Sequence, residues 1–212
     1  MLKTLHVPGP AGTLEALLDK PKKGVAPRAA AVFAHPLPTE GGTMHTKAVY
    51  QGAKALARIG VPTLRFNFRG VGRSQGEWDE GPGEAEDFRA MLDYMAAKYP
   101  GLPLWAAGFS FGSWVALEQG AIDDRVTALI AIAPPVENLG YDFSRTLASA
   151  KPKFFIQGDR DRICPLPALR RFYAKLEEPK ELVVIEDADH LFDGKTSEVG
   201  DAVEDLLEDF DG

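Results

Sequence analysis

Gly108-Phe109-Ser110-Phe111-Gly112 follows the apolar run 104–107 and precedes a helix-compatible stretch over 113–121. G-x-S-x-G at a strand-to-helix junction lifts the serine Oγ clear of the sheet edge on a sharp turn. Side chains two positions either side would collide, and glycine there removes the Cβ and permits unusual backbone angles. The helix that begins beside the serine turns free N–H groups toward a developing anion. The chemistry this suggests is nucleophilic attack by Ser110. A plain Gly/Ser turn has the same five residues, so the reading depends on partners elsewhere in the chain.

A neutral serine needs a base within hydrogen-bond reach. The histidines are His6, His35, His45 and His190. His190 lies in Glu186-Asp187-Ala188-Asp189-His190-Leu191-Phe192, just beyond the apolar run 182–185. In a parallel sheet, residues past the strand ends share one rim, where ligands and chemistry collect. The alternative is a surface histidine in an acidic loop, but its place after the last strand and before the final helix favours the base. An imidazole that takes up a proton needs a carboxylate to hold its tautomer and stabilise its charge. Gly158-Asp159-Arg160-Asp161-Arg162-Ile163-Cys164-Pro165, after the apolar run 154–156, offers Asp159 and Asp161. Read blandly, this is a solvated turn whose Arg–Asp pairs contribute little.

The elements that must position these groups are visible as two alternating textures. Apolar runs over 29–34, 63–68, 104–107, 128–133, 154–156 and 182–185 lack the alternation of a half-solvated sheet and fit parallel strands covered on both faces. Between them, Ala48, Gly52, Ala55, Leu56 and Ile59 form an apolar stripe at helical spacing, as do Phe88, Leu92, Met95 and Tyr99. A third stripe comprises Val199, Val203, Leu206, Leu207 and Phe210. Strands alternating with helices imply an α/β fold, a mostly parallel sheet with right-handed crossovers and helices on both faces. Residues 2–7 and 13–19 flank Pro8-Gly9-Pro10-Ala11-Gly12 and read as an antiparallel strand pair at one edge.

Composition removes several function classes. The 212 residues carry 24 Lys+Arg against 31 Asp+Glu, a net charge of −7, so nucleic acid and anionic membrane surfaces are not expected partners. At 45% hydrophobic and 26% charged the chain is globular, and one domain over 1–212 is expected at this length. The single cysteine, Cys164, has no partner for a disulfide or a Cys-based zinc site and reads as a small buried filler. Prolines and glycines occupy the place of a signal peptide's apolar run, and no run approaches the ~20 residues of a membrane span. A soluble, cytoplasmic protein is expected, its oligomeric state left open. Gly70, Gly72 and Gly76 are one residue too widely spaced for a dinucleotide fingerprint, and no Lys-Ser/Thr follows Gly41-Gly42 at P-loop spacing. No metal or organic cofactor is called for.

In its G-x-S-x-G turn and in the order of serine, acid and histidine the chain resembles the α/β-hydrolase superfamily over essentially its whole length. It looks closest to small esterase-like and dienelactone-hydrolase-like members, although dienelactone hydrolases carry cysteine where this chain has Ser110. The family pattern G-x-x-D-x-(aliphatic)-x-P is matched by Gly158, Asp161, Ile163 and Pro165, which implies Asp161 rather than Asp159 as the acid. His35-Pro36-Leu37 stands where the family has His-Gly and an oxyanion-binding amide. The resemblance therefore implies the backbone N–H groups of Leu37 and Phe111 as the oxyanion hole, with His35 bracing the loop. R-G-x-G-x-S, here from Arg69 to Ser74, becomes a structural loop. Larger members insert a lid in an interval where this chain has only about twenty residues, between the runs at 128–133 and 154–156, so the site should be open. Met44, His45, Phe109, Tyr141, Phe143 and Phe192 are candidate substrate-lining residues, with core packing the alternative for the bulky ones. The implied activity is cleavage of a small-molecule carboxylic ester through an acyl-enzyme. Thioesterase, amidase or peptidase chemistry, or a non-catalytic ligand-binding role on the same fold, are the alternatives.

Overall fold

The computed structural model describes residues 3–137 and 140–211. Leu2, included above in the first strand, lies outside the described residues. Strands β1 (Leu5–Gly9), β2 (Gly12–Asp19), β3 (Ala30–Ala34), β4 (Thr63–Phe66), β5 (Leu104–Phe109), β6 (Val126–Ile132), β7 (Lys153–Gly158) and β8 (Lys180–Ile185) form one sheet. Its order is β1-β2-β4-β3-β5-β6-β7-β8. β2 runs antiparallel to both β1 and β4, and all other neighbours are parallel. The antiparallel pair therefore sits at the edge beside β4, joined by a tight Pro10-Ala11 turn.

The central strands β3 and β5 are buried along their whole length, as their unbroken apolar sequence requires. Helices α1 (Lys47–Arg58) and α6 (Thr196–Leu207) cover one face, with Val49, Leu56, Val199 and Val203 packed on Phe33, Ile130 and Ile156. On the other face lie α2 (Pro82–Lys98), α3 (Phe111–Ile122) and α5 (Leu166–Tyr173), with Phe88, Met95, Leu117 and Phe172 against Val32, Phe66 and Phe155. Each predicted stripe faces this interior. α1 approaches so closely at Gly52 that a Cβ there would lie 2.7 Å from the Phe33 ring. The interval between β6 and β7 holds, among the described residues, only the five-residue α4 (Ser144–Ala148). The fold is thus the expected mostly parallel α/β sheet with an antiparallel edge pair, and among the described residues no lid stands between β6 and β7.

Polar ties stitch the elements together. Arg28, just before β3, donates from Nε to the Ile59 carbonyl and from its two terminal nitrogens to the Phe210 and Leu207 carbonyls, clipping the end of α6 to the body. Arg65 is 1% exposed; its Nε donates to Asp19 Oδ2 at 2.6 Å and its Nη1 to the Met44 carbonyl at 2.7 Å. Lys54 Nζ lies 3.1 Å from the other Asp19 oxygen. His35 is fully buried at the exit of β3. Its Nδ1–H donates to the Pro36 carbonyl at 2.7 Å and its Nε2 accepts the Phe68 N–H at 3.1 Å. Both nitrogens are committed, so His35 braces the loop as the neutral imidazole.

Two stability predictions come from these buried groups. Arg65→Met leaves Asp19 with Lys54 alone and should cost about 3–5 kcal/mol in urea denaturation, much of it recovered in the Arg65→Met/Asp19→Asn double variant. Burial pushes the His35 pKa from 6.5 down to about 4. Between those values the unfolded chain binds the extra proton, so stability falls as pH drops through the window, by on the order of 3 kcal/mol at most. Urea denaturation of His35→Gln between pH 7 and 4 should show a correspondingly shallower decline than wild type.

Candidate active site

β5 ends at Phe109 and α3 begins at Phe111, so Ser110 alone makes the turn, with φ 53° and ψ −122°. A non-glycine residue at positive φ costs on the order of 1–3 kcal/mol and persists only where its surroundings enforce it. Here the Ser110 N–H donates to the Ile132 carbonyl of β6 at 2.8 Å, and its carbonyl accepts from both the N–H and the Oγ of Ser113. The flanking glycines are sterically required. A Cβ at Gly108 would lie 2.1 Å from the Gly112 carbonyl oxygen, and one at Gly112 would lie 2.4 Å from the His35 carbonyl oxygen.

The loops leaving β7 and β8 are zipped together. Asp159 N–H donates to the Ile185 carbonyl and Arg160 N–H to the Ala188 carbonyl, and a Cβ at Gly158 would come within 2.3 Å of that same Ala188 oxygen. This brings Asp161 against His190. His190 Nδ1–H donates to Asp161 Oδ2 at 2.8 Å, leaving Nε2 to accept from Ser110 Oγ at 3.0 Å. The Phe109 ring supports the imidazole at 5.2 Å.

Asp161 is 4% exposed yet fully solvated by protein. The Ile163 and Cys164 N–H groups each donate to Oδ1 at 2.8 Å, and Gln157 Nε2 donates to Oδ2 at 3.0 Å beside the imidazole. Asp159 is exposed and lies outside this relay. Asp161, and not Asp159, is the aspartate in hydrogen-bond contact with His190.

Asp161, Cys164 and His190 place possible ligand atoms within 4.8 Å of one another, but the donor set does not suit a metal. Four donors already occupy the carboxylate, and burial together with the Asp161 charge pushes the Cys164 thiol well above its usual range, away from the thiolate that binds metals.

Ser110 and His190 open onto a cavity of about 410 Å³ that Leu37 and Phe111 also line. Neither the Leu37 nor the Phe111 N–H donates to another described residue. The Leu37 carbonyl instead accepts the N–H groups of Glu40 and Gly42, curling its loop. Gly42 is fixed by the same curl, since a Cβ would lie 2.1 Å from the Pro36 oxygen.

Of the six suggested lining residues, only Tyr141 is on the wall, stacked on Trp114, whose indole N–H donates to the Asp142 carbonyl at 2.7 Å. The other five lie elsewhere. Phe109 and Phe192 are fully buried beneath the imidazole, and Phe143 packs on Phe172. Met44 is buried with its N–H on Asn67 and its carbonyl on Arg65, while His45 is exposed away from the cavity. The walls that sequence reasoning missed are Pro36, Glu40, Gly42, Pro135, Ile163 and Leu191. Adjacency to the histidine and to the aspartate was the available signal for Leu191 and Ile163.

Residues 27–210 match the family described as an alpha/beta hydrolase domain. The chain is 35% identical over 210 residues to an uncharacterized protein of Rickettsia prowazekii, spanning 96% of this chain and 87% of that one. A serine hydrolase homologue from Coxiella burnetii has a similar structure, with TM-score 0.90, 38% identity and 97% coverage of both chains. A Xanthomonas campestris protein, described as a serine hydrolase without a lid, gives TM-score 0.87 at 39% identity, over 96% of this chain and 92% of its own. With an eight-stranded sheet, a strained serine elbow and this extent of match, the chain belongs to the alpha/beta hydrolase family.

Proposed function

We propose that the protein is a serine hydrolase that cleaves carboxylic esters through an acyl-enzyme, with Ser110, His190 and Asp161 as its catalytic triad. The observation that carries this reading is the unbroken relay from Ser110 Oγ through His190 to Asp161, at 3.0 and 2.8 Å, opening onto a cavity. Ser110 Oγ attacks the ester carbonyl while His190 Nε2 takes its proton. Asp161 holds the Nδ1–H tautomer and stabilises the imidazolium. The tetrahedral oxyanion is held by the Leu37 and Phe111 amides; losing one such donor typically costs roughly 3–4 kcal/mol of transition-state stabilisation.

Collapse of the intermediate breaks the bond to the leaving alcohol, which receives the proton from His190 and departs on the imidazole side. Water then enters, gives its proton to Nε2 and attacks the acyl carbon. The second collapse releases the acid and returns the proton to Ser110. Pro36, Pro135, Tyr141 and Phe111 on the cavity wall favour an apolar acyl group. With only α4 between β6 and β7 among the described residues, small or extended esters are the favoured substrates.

A fluorophosphonate probe followed by peptide mass spectrometry should give an adduct on Ser110 that is lost in His190→Ala. A folded wild-type protein without that adduct would instead favour ligand binding without catalysis. Ser110→Ala should lower ester turnover by on the order of a million-fold with the circular-dichroism spectrum unchanged. Asp161→Asn should cost about 10⁴-fold in kcat and Asp159→Asn no more than a few-fold; the reverse ranking would move the acid role.

A further inference from the structure

Two exposed apolar side chains, Ile163 at 54% and Leu191 at 53% exposure, form a rib between two recesses. One is the cavity described above. The other, of about 480 Å³, shares Ile163, His190 and Leu191 with it and is otherwise walled by Arg160, Arg162 and Asp189. Resting on the serine-hydrolase reading, the two recesses have different tasks. The acyl group belongs with the Leu37 and Phe111 amides, in the mainly apolar recess. The leaving group takes its proton from His190 and so extends on the imidazole side, into the recess with the arginines.

The charges there are not equivalent. Arg160 is paired with Asp187 at 2.5 Å, and Asp189 Oδ1 accepts the Asp193 N–H at 3.1 Å. Arg162 is exposed and forms no ion pair among the described residues. Its planar guanidinium matches a carboxylate or phosphate bidentately and is weakly hydrated. In the acyl recess the charged side chain on the wall is the carboxylate of Glu40 with no guanidinium facing it, whereas in the second recess the Asp189 carboxylate is outnumbered by the two guanidinium groups of Arg160 and Arg162. We propose that the preferred substrates are esters of an apolar acid with an alcohol bearing a carboxylate or phosphate-type anion, and that Arg162 binds that anion.

The test compares three butanoate esters: of 4-hydroxybenzoate, of 4-hydroxyphenylphosphonate and of the neutral 4-hydroxybenzamide. Intrinsic reactivity differs among them but cancels when each anionic-to-neutral ratio of kcat/KM is compared between wild type and Arg162→Glu. The ratio should fall about tenfold or more in Arg162→Glu, mainly through KM, and Arg162→Lys, which keeps the charge but not the bidentate fork, should restore only part of it. In wild type the ratio should also shrink as NaCl is raised to 0.5 M. The larger fall of the two identifies carboxylate or phosphonate as the better-matched anion. Equal ratios in wild type and Arg162→Glu, with all three esters turned over, overturn this proposal and leave the hydrolase reading standing. Failure of wild type both to turn over the neutral ester and to take the fluorophosphonate overturns the hydrolase reading, and this proposal with it.

Discussion

The positive-φ turn at Ser110 is the constraint on which the rest of the site depends. It exists because two glycine-dependent approaches bring separate segments into contact. β5 and α3 meet across Gly108 and Gly112, and Gly112 in turn presses on the His35 carbonyl oxygen at the exit of β3. The serine and the loop carrying Leu37 are therefore one packed unit. His35 ties that unit to the segment after β4 through the Phe68 N–H, a bond that only an unprotonated Nε2 accepts. The strained φ is held by backbone bonds to β6 and α3, so strain at one residue is distributed over the centre of the sheet.

Asp161 is held by a different principle. A buried carboxylate without partners is costly, and Asp161 avoids that cost by accepting from two backbone amides, one imidazole and Gln157. The Gln157 carboxamide also donates to the Cys164 carbonyl at 2.8 Å, so one side chain fixes both the carboxylate and the loop that presents it. Cys164 fills space behind this arrangement with a thiol that burial keeps protonated.

The central strands and the striped helices α1, α2 and α6 were legible because their physics is periodic and local. Strand ends were less so: the run at 154–156 stops short of Lys153, which belongs to β7 and is fully buried, its ammonium on the Ser149 and Lys151 carbonyls. Charge hid that residue from a hydropathy reading. α2 starts at Pro82, ahead of the predicted stripe that begins at Phe88, and α5 is too short for its spacing to stand out. At the site, chain order and one loop pattern picked out the serine, histidine and aspartate that the fold brings within hydrogen-bond reach of one another. The cavity wall was not legible, because sequence adjacency does not tell which way a loop side chain turns. Phe109 and Phe192 turn inward beneath His190, whereas Ile163 and Leu191 turn outward.

The zipping of the β7 and β8 loops has a consequence for biosynthesis. On the proposed mechanism the reactive groups follow one another along the chain as serine, aspartate and histidine, and α6, which follows the histidine's loop, is clipped at its end by Arg28. A ribosome-bound chain still short of residue 186 already contains the sequence of the serine elbow but lacks His190, the base of the proposed mechanism.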